Sequence, residues 1–78
     1  MTEYNFYREN LSAIPSHVLQ DKDTIFLDFD SNNLTSLPLE LFNLTNLKVL
    51  SLTGNKIKEI PKEIANLQQL LQCLTKFF

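Results

Sequence analysis

From Leu47 to Leu67 the chain places large apolar residues at Leu47, Val49, Leu50, Leu52, Ile57, Ile60, Ile64 and Leu67, with polar residues, Gly54, Pro61 or Ala65 between them. In Val49-Leu50-Ser51-Leu52-Thr53 apolar and polar residues alternate, so Leu50 and Leu52 share one face and Val49, Ser51 and Thr53 the other, as in a half-buried strand. Pro61 then opens a short helical turn over Lys62–Leu67 with Ile64 and Leu67, three residues apart, on its inner side. The whole arrangement recurs. Pro15, Pro38 and Pro61 stand 23 residues apart, and the same shift superposes Leu11 on Leu34 and Ile57, Ile14 on Leu37 and Ile60, Val18 on Leu41 and Ile64, and Phe6 on Phe29 and Leu52. The repeating units are 1–23, 24–46 and 47–69, and residues 70–78 begin a fourth, with Leu70 in the place of Leu47. Strands one unit apart need a crossover between them, so they stack in parallel. The expected architecture is an α/β solenoid with a short parallel sheet on its concave face and helical turns on its convex face.

The third unit, Leu47-Lys-Val-Leu50-Ser-Leu52-Thr-Gly-Asn55-Lys-Ile57-Lys-Glu-Ile60-Pro61, reads LxxLxLxxNxLxxLP with isoleucine in the later leucine slots. This motif resembles the leucine-rich repeat family. Unit two carries it as Thr24, Leu27, Phe29, Asn32, Leu34, Leu37 and Pro38, and unit one more weakly, with Tyr4 and Phe6 on the strand and Glu9 in the asparagine position. The Pro-x-x-Ile-x-x-Leu tail at 61–67 is similar to the 23-residue class found in many intracellular scaffold proteins and bacterial repeat proteins. The resemblance covers essentially the whole chain, read as a single domain, 1–78. It implies convex turns of short helical or 3-10 form, and that the Asn32 and Asn55 side chains satisfy backbone groups of neighbouring turns. With Glu9 in unit one, the first rung is expected to be imperfect.

Seventy-eight residues make one small module with no room for separate substrate and cofactor domains. Hydrophobic residues at 44% and charged residues at 21% are ordinary for a folded chain. A formal charge of -2 gives no general basic field, which argues against nucleic acid or an anionic membrane as partner. MTEYNFYREN has no apolar run of the signal-peptide kind, and no stretch approaches the roughly 18 apolar residues of a membrane span. Cys73 is the single cysteine, so no internal disulfide and no Cys/His zinc site is expected, and a reducing, cytoplasmic location fits best. Asn10-Leu-Ser, Asn33-Leu-Thr and Asn43-Leu-Thr are formal glycosylation acceptors that, without a secretion signal, read as surface-turn composition.

Four constellations invite a chemical reading. Asp28-Phe-Asp30-Ser-Asn32 begins like a calcium loop, but the sixth and twelfth positions hold Asn33 and Leu39 where glycine and a bidentate glutamate belong. Asp28 and Asp30 share a strand face about 7 Å apart, yet as exposed acids on an open sheet they lack the desolvation that tunes a catalytic pair. His17 and Cys73 fall in units one and four, too far apart for a nucleophilic pair; His17 reads as a surface residue and Cys73 as a small core substitute for leucine. Lys56, Lys58 and Lys62 are too few to hold nucleic acid. No cofactor is expected.

Packing accounts for the inward leucines, so function is left to the concave strand positions. By register these stack in three rows, Glu3–Phe26–Val49–Gln72, Asn5–Asp28–Ser51–Leu74 and Tyr7–Asp30–Thr53–Lys76. Tyr7, Phe26, Asp28, Asp30, Val49, Ser51 and Thr53 are the candidate partner-binding residues: the aromatics as anchors, the two aspartates as selectors of a basic segment. The expected function, as the resemblance implies, is a non-enzymatic protein–protein interaction module of intracellular signalling. The alternative is a piece of a larger repeat protein whose signalling or enzymatic domain lies elsewhere. Leu70-Leu71-Gln-Cys73-Leu74-Thr-Lys-Phe77-Phe78 has no polar cap motif, which predicts self-association through the C-terminal end.

Overall fold

The computed structural model describes residues 1–75, so Lys76, Phe77 and Phe78, and with them the expected role of the two phenylalanines, lie outside the described residues. Four strands, β1 (Thr2–Asn5), β2 (Thr24–Asp28), β3 (Val49–Ser51) and β4 (Gln72–Leu74), form one sheet in the order of the sequence. Every pairing is parallel. Each return passes through a short convex turn: a four-residue α-helix, α1 (Ser16–Leu19), then 3-10 turns at Leu39–Asn43 and Lys62–Asn66. Pro15, Pro38 and Pro61 stand immediately before these turns with φ between -57° and -70°. The pyrrolidine ring presets that angle, and no helical N–H is lost at the position. The α/β solenoid is therefore the observed fold.

The register follows the repeat. Phe26 pairs with Val49, Leu27 with Leu50 and Asp28 with Ser51, and the same shift leads on to Gln72, Cys73 and Leu74. One irregularity lies between Thr2 and Glu3 at the start of β1. Inward residues fill a continuous core of Ile14, Val18, Leu27, Phe29, Leu34, Leu37, Leu41, Phe42, Leu44, Leu47, Leu50, Leu52, Ile57 and Leu67. Thr24 occupies an inward slot where Leu47 stands one unit later, and it is fully buried. Its hydroxyl donates to the Asp21 carbonyl at 2.8 Å, so the polar group is satisfied within its own turn.

The asparagines serve the unit that precedes them. Asn32 Oδ1 accepts from the backbone N–H groups of Glu9 and Leu11, and its Nδ2 lies 2.8 Å from the Phe6 carbonyl oxygen and 3.0 Å from that of Phe29. Asn55 repeats this one rung on, accepting from Leu34 N and donating to Phe29 O and Leu52 O. Glu9 in the first asparagine position thus leaves no corner of unit one unserved, because Asn32 completes it. The third residue after each of β1, β2 and β3 adopts the left-handed region, with φ of 55° at Arg8, 59° at Ser31 and 78° at Gly54. Only Gly54 does so without a Cβ, and an added Cβ there would meet Ser31 Oγ at 3.1 Å.

Candidate functional site

The outward residues of the four strands form the concave face. The strand pairings bring Glu3, Phe26, Val49 and Gln72 into one row and Asn5, Asp28, Ser51 and Leu74 into the next. Backbone bonds carry the alignment beyond the strands, from Arg8 N to Asp30 O and from Ser31 N to Thr53 O, which sets Tyr7, Asp30 and Thr53 as a third row. Tyr7 is 55% exposed, while Phe26 and Val49 are half-buried, each shielded by its strand neighbours.

Asp28 and Asp30, expected as exposed acids, are half-buried and hydrogen-bonded. Asp28 Oδ1 accepts from Asp30 N at 2.9 Å, as Asn5 Oδ1 accepts from Tyr7 N at 3.0 Å one rung earlier. These local bonds occupy N–H groups at the point where the strand ladder ends. Asp30 reaches across to the next strand instead: its Oδ1 accepts from Ser51 Oγ at 2.7 Å and from Thr53 N at 2.8 Å. Ser51 is consequently only 5% exposed, its hydroxyl turned to Asp30 rather than outward. The seven candidate residues therefore divide in two. Tyr7, Phe26, Asp28 and Val49 present surface, whereas Asp30, Ser51 and Thr53 form a clasp between the second and third rungs. Alternation reveals which side a residue takes, and it gives no sign of this bonding.

A second polar cluster escaped the sequence reading. Tyr4 Oη donates to Asp21 Oδ2 at 2.8 Å across the first rung, and the His17 ring meets the Tyr4 ring edge-on at 5.7 Å. The hydrogen bond holds the Tyr4 phenol above its ordinary pKa and the Asp21 carboxyl below its own, the Asp21 shift being aided by the N–H of Asp23. The only sequence signal was tyrosine in an inward leucine slot. Cys73 lies in β4, half-buried against the core, and burial pushes its thiol pKa up, away from the reactive thiolate. His17 is exposed at the opposite end of the sheet, on α1. Lys56, Lys58 and Lys62 are all exposed. Among the described residues no group of three or more His, Cys, Asp or Glu side chains is placed to hold a metal ion, and no helix is long and apolar enough to cross a membrane.

The parallel register, the inward leucines and the asparagine corners agree with the comparison to known families, in which the leucine rich repeat model matches residues 26–72. The chain belongs to the leucine-rich repeat family. Among solved structures it is similar to a leucine-rich repeat protein of Leptospira interrogans, with a TM-score of 0.87 and 32% sequence identity over 95% of this chain. The match spans 20% of that protein's length. No curated protein matches the chain. Leucine-rich repeat domains generally mediate protein–protein interaction, and their fold is typically a non-enzymatic scaffold.

Proposed function

We propose that this leucine-rich repeat module binds a protein partner through its concave face, as a non-enzymatic scaffold of intracellular signalling, and that the acids of that face select a basic segment. The observation that carries the reading is the division of the face: Asp30, Ser51 and Thr53 bond the second rung to the third, whereas Tyr7, Phe26, Asp28 and Val49 form no such clasp, Asp28 accepting, among the described residues, only from Asp30 N on its own rung. Exposed or half-exposed aromatic and branched side chains on a stiff sheet lose little entropy on binding, which suits them to be anchors. A cytoplasmic location accords with the half-buried thiol of Cys73. The test is selection from a displayed peptide library, with each selected binder re-measured on Phe26→Ala, Val49→Asp and, as a convex control, Leu39→Asp. Loss on the first two and retention on the third is expected. Binders indifferent to Phe26→Ala and Val49→Asp would overturn the concave assignment.

The C-terminal side of the sheet favours a second contact. Ile60, Ile64, Leu70 and Cys73 are only half-buried, whereas Leu37, Leu41, Leu47 and Leu50, their counterparts one unit earlier, are buried. We infer self-association through this edge, or coverage by further rungs where the module forms part of a longer repeat protein. The 20% span of the Leptospira protein accords with the latter. Sedimentation velocity across a hundredfold range of concentration distinguishes these. Association that Leu70→Lys abolishes supports a self-contact, and a concentration-independent monomer refutes it.

A further inference from the structure

The concave face sets an upper limit on its occupant. Four strands at about 4.8 Å spacing and three rows at about 7 Å spacing cover roughly 19 by 21 Å, or about 400 Å². A stable interface between folded proteins buries about 800 Å² on each side. This face is too small for that and fits a single extended segment crossing the strands, about six residues at 3.3 Å each.

Charge narrows the chemistry. The three rows carry Glu3, Asp28 and Asp30 and, among the described residues, no lysine or arginine; Arg8 follows β1 in the turn, and Lys22, Lys48, Lys56, Lys58 and Lys62 all stand outside the rows. Among the described residues the basic side chains thus stand off a face that holds three acids, in a chain whose net charge is only -2, while the 23-residue repeat carries Lys76, outside the described residues, to the end of the third row. The acids do not stand alone. Phe26, Asp28 and Asp30 are successive outward residues of one strand and its continuation, and Tyr7 stands beside Asp30 in the same row, so each carboxylate has an aromatic residue at a neighbouring position of the face. The Asp30 clasp and the bond from Asp30 N to Asp28 Oδ1 fix both carboxylates before any ligand arrives, each through Oδ1. Oδ2 of each makes no hydrogen bond to the described residues. Fixed carboxylate oxygens with aromatic residues at neighbouring positions suit a planar guanidinium, which pairs through its fork of N–H donors and stacks on rings, better than they suit a compact, strongly hydrated ammonium.

Building on the concave-face reading, we infer that the partner segment is a short extended peptide whose arginine side chain lies between Phe26 and Tyr7 and pairs with Asp28 and Asp30. The probes are three fluorescein-labelled hexapeptides, Gly-Arg-Ala-Arg-Gly-Ser and its lysine and glutamate counterparts, titrated by anisotropy with the full chain. The arginine peptide should bind, the lysine peptide about threefold or more weaker, and the glutamate peptide without saturation. Asp28→Asn and Phe26→Ala should each weaken the arginine peptide about tenfold, with Glu63→Gln on the convex side as an unaffected control. Urea melts of the same variants establish that they remain folded. Equal binding of the arginine and lysine peptides, an arginine peptide that does not bind, or an Asp28→Asn variant that binds as wild type would each overturn the inference. The library selection keeps the two readings apart. Selected peptides that depend on Phe26 yet lack arginine refute the arginine assignment and leave the concave face standing, whereas peptides indifferent to Phe26 refute both.

Discussion

Replacing Asn32 by leucine tests how the rungs are joined. The side chain is 4% exposed and holds four backbone groups of two rungs, the N–H groups of Glu9 and Leu11 and the carbonyls of Phe6 and Phe29, with a further contact of 3.1 Å to Asp30 O. Leucine preserves the volume and supplies no partner. A buried group left unsatisfied costs about 1–3 kcal/mol, less where water reaches it. Glu9 is exposed and Phe6 and Leu11 are half-buried, so water recovers part of the loss, and about 3–5 kcal/mol remains. A chain of 78 residues has a total stability of roughly 4–12 kcal/mol. Asn32→Leu should therefore lie at the edge of unfolding at 25 °C. Asn55→Leu strands three groups, Leu34 N, Phe29 O and Leu52 O, at a half-buried site and should cost less, about 2–3 kcal/mol. Asn32→Asp keeps the acceptor and removes the donor, which places it between wild type and Asn32→Leu. Urea denaturation followed by circular dichroism gives all three values. If Asn55→Leu proves as damaging as Asn32→Leu, or Asn32→Leu melts as wild type, the asparagines do not carry the rung junctions as described.

Leu50→Ala empties a fully buried slot of β3 and should cost about 2–5 kcal/mol, against about 1 kcal/mol for Ser51→Ala next to it, where the Asp30 clasp loses one donor; equal losses in thermal melts would refute the strand register. The Tyr4–Asp21 bond gives stability a defined pH dependence. Asp21 is depressed in the folded chain, so its contribution is present above the ordinary carboxyl value of 3.8 and is lost as pH falls through the folded value. Tyr4 is raised, so its contribution is present below the ordinary phenol value of 10.0 and is lost as pH rises through the folded value. Tyr4→Phe should flatten both limbs of the melting profile, and an unchanged profile would show that the bond does not form in solution.

What was legible in the sequence is what repeats. The spacing of 23 residues between Pro15, Pro38 and Pro61 is enough to derive the crossover, the parallel sheet and the pairing of Phe26 with Val49, because each follows from equivalence between units. Features that depend on a difference between units were hidden. Asp30 can clasp the next strand because Ser51 and Thr53 follow it one rung on, and no periodicity distinguishes that pair from a solvated one. The direction in which an asparagine reaches is similarly silent, since the motif marks Asn32 and Asn55 as corners without indicating that each completes the rung before it. Tyr4 departs from the motif, and its departure is explained by Asp21, seventeen positions away and outside any repeat slot.

The two ends of the sheet are finished by different means. At the β1 end, Tyr4 and Phe6 stand in the leucine slots with their rings stacked 5.9 Å apart, and Phe6 meets Phe29 at 5.5 Å. Large rings cover the core edge with fewer neighbours, and the Tyr4 hydroxyl turns a polar group to the rim, held by Asp21. That rung is adapted to water. At the β4 end the corresponding residues are Ile60, Ile64, Leu70 and Cys73, half-buried and without a comparable polar handle, and Leu74 is 46% exposed. Among the described residues, that rung leaves apolar surface accessible. The proposed association therefore falls on the β4 side, whereas the aromatic and acidic residues of the proposed peptide contact lie on and just beyond β1 and β2. Because Phe26 lies on the outward face of β2 and Leu70 packs against the core just before β4, a change at one leaves the other's contacts in place. The proposed peptide contact and the proposed association thus rest on separate residues and can be tested separately.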